Sequence, residues 1–422
     1  MDQPLQVAVI ADDLTGAADT GVQFCPVVGP IHLTSDVDEE FTQTETEAGG
    51  LAVYTNSRHL GPKRAAEQVR RVASKILQLV PGLIYKKIDS CLRGNIGAEI
   101  DALLVESSAT ASFVAPAFPS QGRTTEHDIH MIDGIPVAET EIGKDPLFPV
   151  NESRLSLMLS HQSRMNVGHV DSRYLDKGLA ATAMRVKELL AGGCCHLVFD
   201  ASHQGHLDAI VTLKKTHFNK EKIVFTGSAG LAGSIARTMM QEAPVRPAME
   251  RPQIAKWLIC CGSVSQVMSK QVTRLVHHTQ WLHMELDPSQ LAADSSQDFQ
   301  PILQNLVEDQ AQGDGVILSI TGGADSGDLN LKPDLVVAGL AGVVSSMLIS
   351  SSWQGLFLSG GDTAEAVLKA TGAKGICLYE EILPGLMRGE IRGGSCHTLP
   401  VVTKAGAFGT GDTLIKLINI LK

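Results

Sequence analysis

The feature that most constrains this chain is an alternation running almost its whole length. Short β-rich apolar runs, each ending in Gly, Asp, Ser or Pro, are separated by amphipathic helical patterns. "QVAVIADD", "GLAVYTN", "GLIYKKIDS", "ASFVAPAFPS", "HLVFDAS" and "KIVFTGSAG" are such runs, and "PKRAAEQVRRVASKILQLV" repeats its apolar positions every three to four residues. Strands separated by helices pair in parallel, because a parallel neighbour is reached only through a crossover, and the crossover helices then cover the sheet. The expected fold class is α/β, with a largely parallel or mixed sheet flanked by helices in each of two domains. Aromatic residues make up only 4% of the chain, which also disfavours a β-sandwich.

Two domains are expected because 422 residues exceed the size at which one hydrophobic core stops growing. "QEAPVRPAMERPQIA" breaks the pattern with three prolines and mixed charge, and the alternation restarts at "KWLICCGSVS". The expected boundaries are 1–240, a linker at 241–256, and 257–422. Within the second half the reading places a long helix near "DFQPILQNLVEDQA" and a loop at 322–333.

A net charge of -11 without a basic cluster disfavours nucleic acid and anionic membranes as partners. A small anion remains compatible, since a few local cations suffice to hold one. No stretch approaches the roughly 20 apolar residues of a bilayer span, and "MDQPLQ" lacks the basic start and apolar core of a signal peptide. A cytoplasmic protein is therefore expected. The eight cysteines lack C-x-x-C spacing and read as buried small hydrophobes. Apolar helix faces are accounted for by packing within each domain, so a homo-oligomer is neither required nor ruled out.

Ligands in open α/β sheets lie at the carboxyl ends of strands, so the strand ends carry the chemistry. "IADDLTGAADTG" places Asp12 and Asp13 at the first such end. One acid suffices to cap the following helix, which leaves the other to meet a hydroxyl or a cation. "YKKIDSCLRGNIG" crowds Lys86, Lys87, Asp89, Ser90 and Arg93 into another turn, and "TNSRHL" adds Asn56, Ser57 and Arg58. Cations, hydroxyls and helix N–H groups together suit a small hydroxylated carboxylate, although a surface ion-pair cluster would look alike. Arg123 in "PSQGRTT" is a further loop cation. His127 and His130 in "TTEHDIH" read as surface residues rather than metal ligands. In the second half, "CGSVS", "SGGDTAEAVL" and "KAGAFGTGD" are small-residue loops after apolar strands, suited to presenting backbone N–H groups to phosphate oxygens. No P-loop or dinucleotide fingerprint is present.

Taken together, "IADDLTGAADTGVQF", "KKIDSCLRGNIGAEIDALL", "PAFPSQGRTT" with "GIPVAETE", "SGGDTA" and "KAGAFGTGDTL" resemble the four-carbon acid sugar kinases, above all their D-threonate kinase branch. The resemblance runs nearly end to end, with Cys91 where Thr is usual and "SGGDTA" where other branches have "TGGET". It implies an N-terminal sugar-acid domain, a C-terminal nucleotide domain, an active site in the cleft between them, and ATP-dependent phosphorylation of a C4 hydroxyl. It implies that the substrate meets Asp12, Arg58, Lys87, Ile88, Asp89 and Ser90, and that ATP meets Ser263, Gly360, Gly361, Asp362, Thr363 and Gly406. The expected cofactors are ATP and Mg²⁺. Asp12 is expected to orient the attacking hydroxyl and accept its proton, with Arg58 and Lys87 neutralising the carboxylate. Two alternatives stay open: a sister kinase acting on D-erythronate, a 3-oxo-tetronate or 4-hydroxythreonine, and a non-catalytic sugar-acid binding protein, which would release no ADP.

Overall fold

A computed structural model describes residues 5–37, 49–145, 149–242, 246, 249–293, 314–321, 332–406 and 408–422. The chain divides into two compact units, Met1–Pro247 and Ala248–Lys422. Parts of the expected linker, the whole of "DFQPILQNLVEDQA" and all but the end of the 322–333 loop lie outside the described residues.

The first unit runs β1 (Val7–Ala11), α1 (Leu14–Val28), β2 (Ile31–Thr34), β3 (Gly50–Tyr54), α2 (Pro62–Gln78), β4 (Leu83–Lys87), α3 (Ile96–Ser107) and β5 (Ala111–Ala115). A small antiparallel sheet of β6 (Arg123–Glu126), β7 (Ile129–Ile132) and β8 (Ile135–Pro136) follows. The unit closes with α4 (Leu155–Gln162), β9 (Asn166–Val170), α5 (Ser172–Asp176), α6 (Leu179–Ala191), β10 (Cys194–Phe199), α7 (Gln204–His217), β11 (Ile223–Gly227) and α8 (Ala229–Met240). Its main sheet has the order β2-β3-β1-β4-β11-β5-β10-β9, and every pair is parallel. Parallel strands are covered on both faces, so β1, β3 and β5 are buried at all five positions and read as unbroken apolar runs. On α2, Ala65, Val69, Val72, Ala73 and Ile76 form the buried stripe, which joins Ile10, Val53, Ile100 and Leu103 in one core.

The second unit runs β12 (Trp257–Cys261), α9 (Gln266–Thr279), β13 (Leu282–Leu286), α10 (Pro288–Ala292), β14 (Gly315–Ile320), α11 (Pro333–Ser350), β15 (Gly355–Ser359) and α12 (Gly361–Ala370). It ends with the hairpin β16 (Gly375–Leu383) and β17 (Leu386–Arg392), then β18 (Pro400–Lys404) and α13 (Thr413–Leu421). The order β13-β14-β12-β15-β18 is parallel, and β17 and β16 extend it antiparallel, so the sheet is mixed. Trp257, Ile259, Val272, Leu275, Phe357, Leu414 and Leu417 pack its core. The α/β expectation holds in both units.

One expectation needs correction. Helix α11, with 18 residues and a mean hydropathy of 1.7, is long and apolar enough by length and composition to cross a membrane. Its Val336, Leu340, Val343, Val344 and Met347 are buried within the second unit, which accounts for the apolar stretch.

Candidate functional site

In each unit one central strand has neighbours reached in opposite directions along the sheet, and the crevice at its carboxyl end is where a ligand fits. In the first unit that strand is β1, flanked by β3 and β4. Asp12 and Asp13 follow β1, Ser57 and Arg58 follow β3, and Lys87 ends β4, so topology alone gathers the predicted polar residues. The Thr55 and Ser57 N–H groups donate to Ala11 O and Asp12 O at 2.9 and 3.1 Å, which fixes the two strand ends together.

The two acids take different roles. Asp13 caps α1 by accepting from Gly16 N at 2.9 Å. Asp12 is 4% exposed; its Oδ2 accepts from Arg58 Nε at 2.7 Å, and its Oδ1 is buried without a partner among the described residues. Burial alone would raise the Asp12 carboxyl, but the Arg58 guanidinium, its hydrogen bond and the Lys87 and Lys86 ammonium groups outweigh it and hold the group below its usual range. Gly94, at φ +94°, lets this corner close: a Cβ there would stand 3.3 Å from Asp12 Oδ2.

Arg58 is committed to both acids, since its NH1 also lies 2.9 Å from Asp13 Oδ2. Lys87 is not committed. It is 4% exposed, and no hydrogen bond or ion pair holds its ammonium among the described residues. A Cβ on Gly16 would meet Lys87 Nζ at 2.9 Å, so the ammonium stands over the first turn of α1. An uncommitted buried cation at a helix N-terminus is an anion site.

Asp89 accepts from Arg93 Nε at 2.6 Å and from Arg93 N at 3.2 Å. Burial would raise its carboxyl, and Arg93, Arg58 and Lys87 together hold it far below the usual range. It orders the turn that carries Ser90. Ile88 contributes only its main chain to this edge: its side chain lies in the core and its N–H donates to Gly227 O at 2.9 Å. Around Arg58, Arg93, Gly94 and Asn95 opens a cavity of about 470 Å³ that Asn151 and Gln162 also line.

Residues beyond the predicted set support the site. Glu99 is 1% exposed, accepts from Ser57 Oγ at 2.6 Å and pairs with the fully buried Lys86 Nζ at 2.7 Å. Burial raises its carboxyl against the pull of Lys86. Its signal in the sequence is an acid within the Ile96, Ile100, Leu103 stripe of a helix. His130 is fully buried, contrary to the surface reading. Its Nε2 donates to Ser90 O at 2.8 Å and its Nδ1 accepts from Thr125 Oγ1 at 2.9 Å, and burial lowers its pKa to about 4. The exposed His127 instead faces Asp171 at 3.3 Å. The Arg123 guanidinium is near enough to Cys91 to pull against the burial that raises its thiol, which brings it to the Asp89–Ser90 turn.

In the second unit the central strand is β12, between β14 and β15. Its loop meets those of β15 and β18. Gly360 N donates to Lys404 O at 3.0 Å, Ser265 Oγ donates to Gly406 O at 2.9 Å, and a Cβ on Gly406 would collide with Ser263 Oγ. Ser263, Gly360, Thr363 and Gly406 are thereby brought together. Gly360, at φ +104°, precedes α12 without capping it by a side chain, so the first N–H groups of that helix stay available to an anion. Asp362 is exposed in the first turn of α12.

Each unit is matched by a family model. Residues 7–235 match a sugar-binding N-terminal domain and residues 258–414 a nucleotide-binding C-terminal domain. The chain belongs to the four-carbon acid sugar kinase family. Its relatives include D-threonate kinases of Salmonella typhimurium strain LT2 (28% identical, 97% of each chain) and Bordetella bronchiseptica (30%, 99% of this chain and 97% of that one). A D-erythronate kinase of Heliobacterium modesticaldum is 27% identical over 98% of this chain and 97% of its own. A crystal structure from Salmonella typhimurium LT2 shares the fold at a TM-score of 0.84 and 21% identity, covering 99% of this chain and all of the other. The kinase names of these relatives support a phosphotransferase.

Proposed function

We propose that the protein transfers the γ-phosphoryl group of ATP to the C4 hydroxyl of a four-carbon sugar acid, with D-threonate as the first candidate acceptor. In this reading residues 1–240 bind the sugar acid and residues 257–422 the nucleotide. The observation that carries it is a pair of uncommitted groups at the end of the first sheet: the ammonium of Lys87, a residue 4% exposed, and the buried Asp12 Oδ1. One suits a carboxylate and the other a hydroxyl, the two functions of a sugar acid.

Lys87 and the N-terminal turn of α1 take the substrate carboxylate. Arg58 instead holds Asp12 in place and keeps it ionised. Asp12 Oδ1 accepts the hydrogen bond of the attacking hydroxyl and, as the new P–O bond forms, its proton. A carboxylate with a lowered pKa is a weak base, which suits this step: phosphoryl transfer passes through a loose transition state and needs orientation more than early deprotonation. Ser90, beside Asp89, offers a further hydroxyl for the sugar chain.

On the nucleotide side, Ser263, Gly360, Gly361, Thr363 and Gly406 present small side chains and backbone N–H groups to the phosphates. The exposed Asp362 carboxylate fits a water-mediated contact to Mg²⁺, an ion that keeps several waters and takes few protein ligands beside phosphate. When bound, the ion neutralises phosphate charge. Incubation with ATP, Mg²⁺ and D-threonate, D-erythronate or a 3-oxo-tetronate in a coupled ADP assay tests the reading. It predicts turnover on at least one acceptor and ADP release only in its presence; no release with any acceptor contradicts it.

A further inference from the structure

Lys404 ends β18 and is 1% exposed, yet its ammonium is fully used. Nζ donates to Ala405 O at 2.9 Å, Gly406 O at 3.1 Å and Phe408 O at 2.9 Å. An ammonium has three N–H donors, so none remains for a ligand. Within a trans peptide the C=O and N–H of one plane point opposite ways. Drawing the Ala405 and Phe408 carbonyls onto the ammonium therefore turns the N–H groups of Gly406 and Gly409 away from it. Neither N–H has a partner among the described residues. The same residue ties in the neighbouring loops: Lys404 O accepts from Gly360 N, Gly406 O also accepts from Ser265 Oγ, and Phe408 O also accepts from Gln271 Nε2 at 3.0 Å.

Outward N–H groups backed by a buried cation make an anion-binding concavity. We propose that Lys404 is a positioning residue: its buried ammonium holds the Ala405, Gly406 and Phe408 carbonyls inward and thereby the Gly406 and Gly409 N–H groups outward, toward the phosphate chain of ATP, without itself touching the nucleotide. This inference rests on the nucleotide-binding reading of the second unit.

All three of these bonds, and the charge that strengthens them, exist only while Lys404 is protonated, since the neutral amine has two N–H donors. Burial lowers its pKa to about 8. The titratable group facing it is Cys261 on β12, whose own thiol burial pushes up to about 12, so the thiol stays neutral in the relevant range. Nucleotide affinity should thus fall as pH rises through about 8. Fold stability should move the other way, because a folded-state pKa below the ordinary lysine value means that deprotonation favours the folded form. A merely structural lysine would not separate these two slopes.

The test is calorimetric titration of the full-length protein with ADP between pH 6.5 and 9.5, together with ATP and sugar-acid KM values for the wild type and Lys404→Met. The proposal predicts a roughly tenfold loss of wild-type ADP affinity between pH 7 and pH 9. Lys404→Met should raise the ATP KM at least tenfold at pH 7, flatten its pH dependence, and leave the sugar-acid KM within about twofold. Wild-type affinity that stays level across pH 8, or a variant that keeps the wild-type ATP KM, overturns the proposal while leaving the kinase reading intact. If the variant does not fold, the wild-type titration alone decides. Absence of ADP binding by the wild type at pH 7 overturns the nucleotide reading and this inference with it.

Discussion

Arg58 donates from Nε to Asp12 Oδ2 at 2.7 Å while its NH1 lies 2.9 Å from Asp13 Oδ2. The guanidinium therefore bridges the two acids at the end of β1, and its single positive charge already faces two carboxylates. Arg58→Ala would leave Asp12 buried without its main counter-charge. We expect it to lower kcat as well as raise the sugar-acid KM, and to cost about 3 kcal/mol of stability. Steady-state kinetics and a denaturant titration check this; a change confined to KM would return Arg58 to the substrate's carboxylate.

Asp12→Asn keeps the shape of the acid but not its charge. A turnover rate lower by about 10²–10⁴-fold is expected, with the ATP KM within about twofold of wild type, because the nucleotide loops belong to the other unit. A near-normal kcat would remove Asp12 from the proton-accepting role.

Lys87→Met removes the uncommitted cation from a position that packs as well with an apolar chain. The sugar-acid KM should rise about 10- to 100-fold, the worth of a charge-assisted hydrogen bond. Preference for the acid over the corresponding uncharged polyol should shrink with it. Unchanged discrimination would show that the carboxylate binds elsewhere.

How much of this was open to sequence reading follows from how each residue is buried. The parallel strands were legible because burial on two faces makes an unbroken apolar run, and Asp12, Lys87 and Ser263 because they sit where such runs stop. The hairpin β16–β17 was not legible because its strands mix Glu380, Glu381, Arg388 and Glu390 with apolar residues and so show no unbroken apolar run, although most of their positions, Arg388 included, are buried. Glu99, Lys86 and Lys404 are charges spent on interior partners. Glu99 shows locally only as an acid within an apolar helix stripe; nothing local distinguishes Lys86 or Lys404 from an exposed lysine, and only the three-dimensional neighbour does. Arg58 illustrates the same limit, since its position was legible but its commitment to two acids was not.

His130 offers a check of the scaffold that is independent of catalysis. With a folded-state pKa of about 4 against an ordinary value near 6.5, the unfolded chain binds more protons between those limits. Stability should accordingly fall as pH drops through that window, by roughly 3 kcal/mol from this residue. His130→Asn should show a shallower decline in denaturant titrations from pH 6.5 to 4. An equal slope in both proteins would mean that the imidazole is not held neutral beneath Ser90.

The central claim is that a sugar acid anchored by Lys87 presents its terminal hydroxyl to Asp12. The most direct test is ³¹P and ¹³C NMR of the product formed from D-threonate and ATP. One phosphate ester on C4 is expected, formed by the wild type and formed at least about 100-fold more slowly by Asp12→Asn; an ester on C2 or C3, or no ester with D-threonate or its four-carbon relatives, would contradict it.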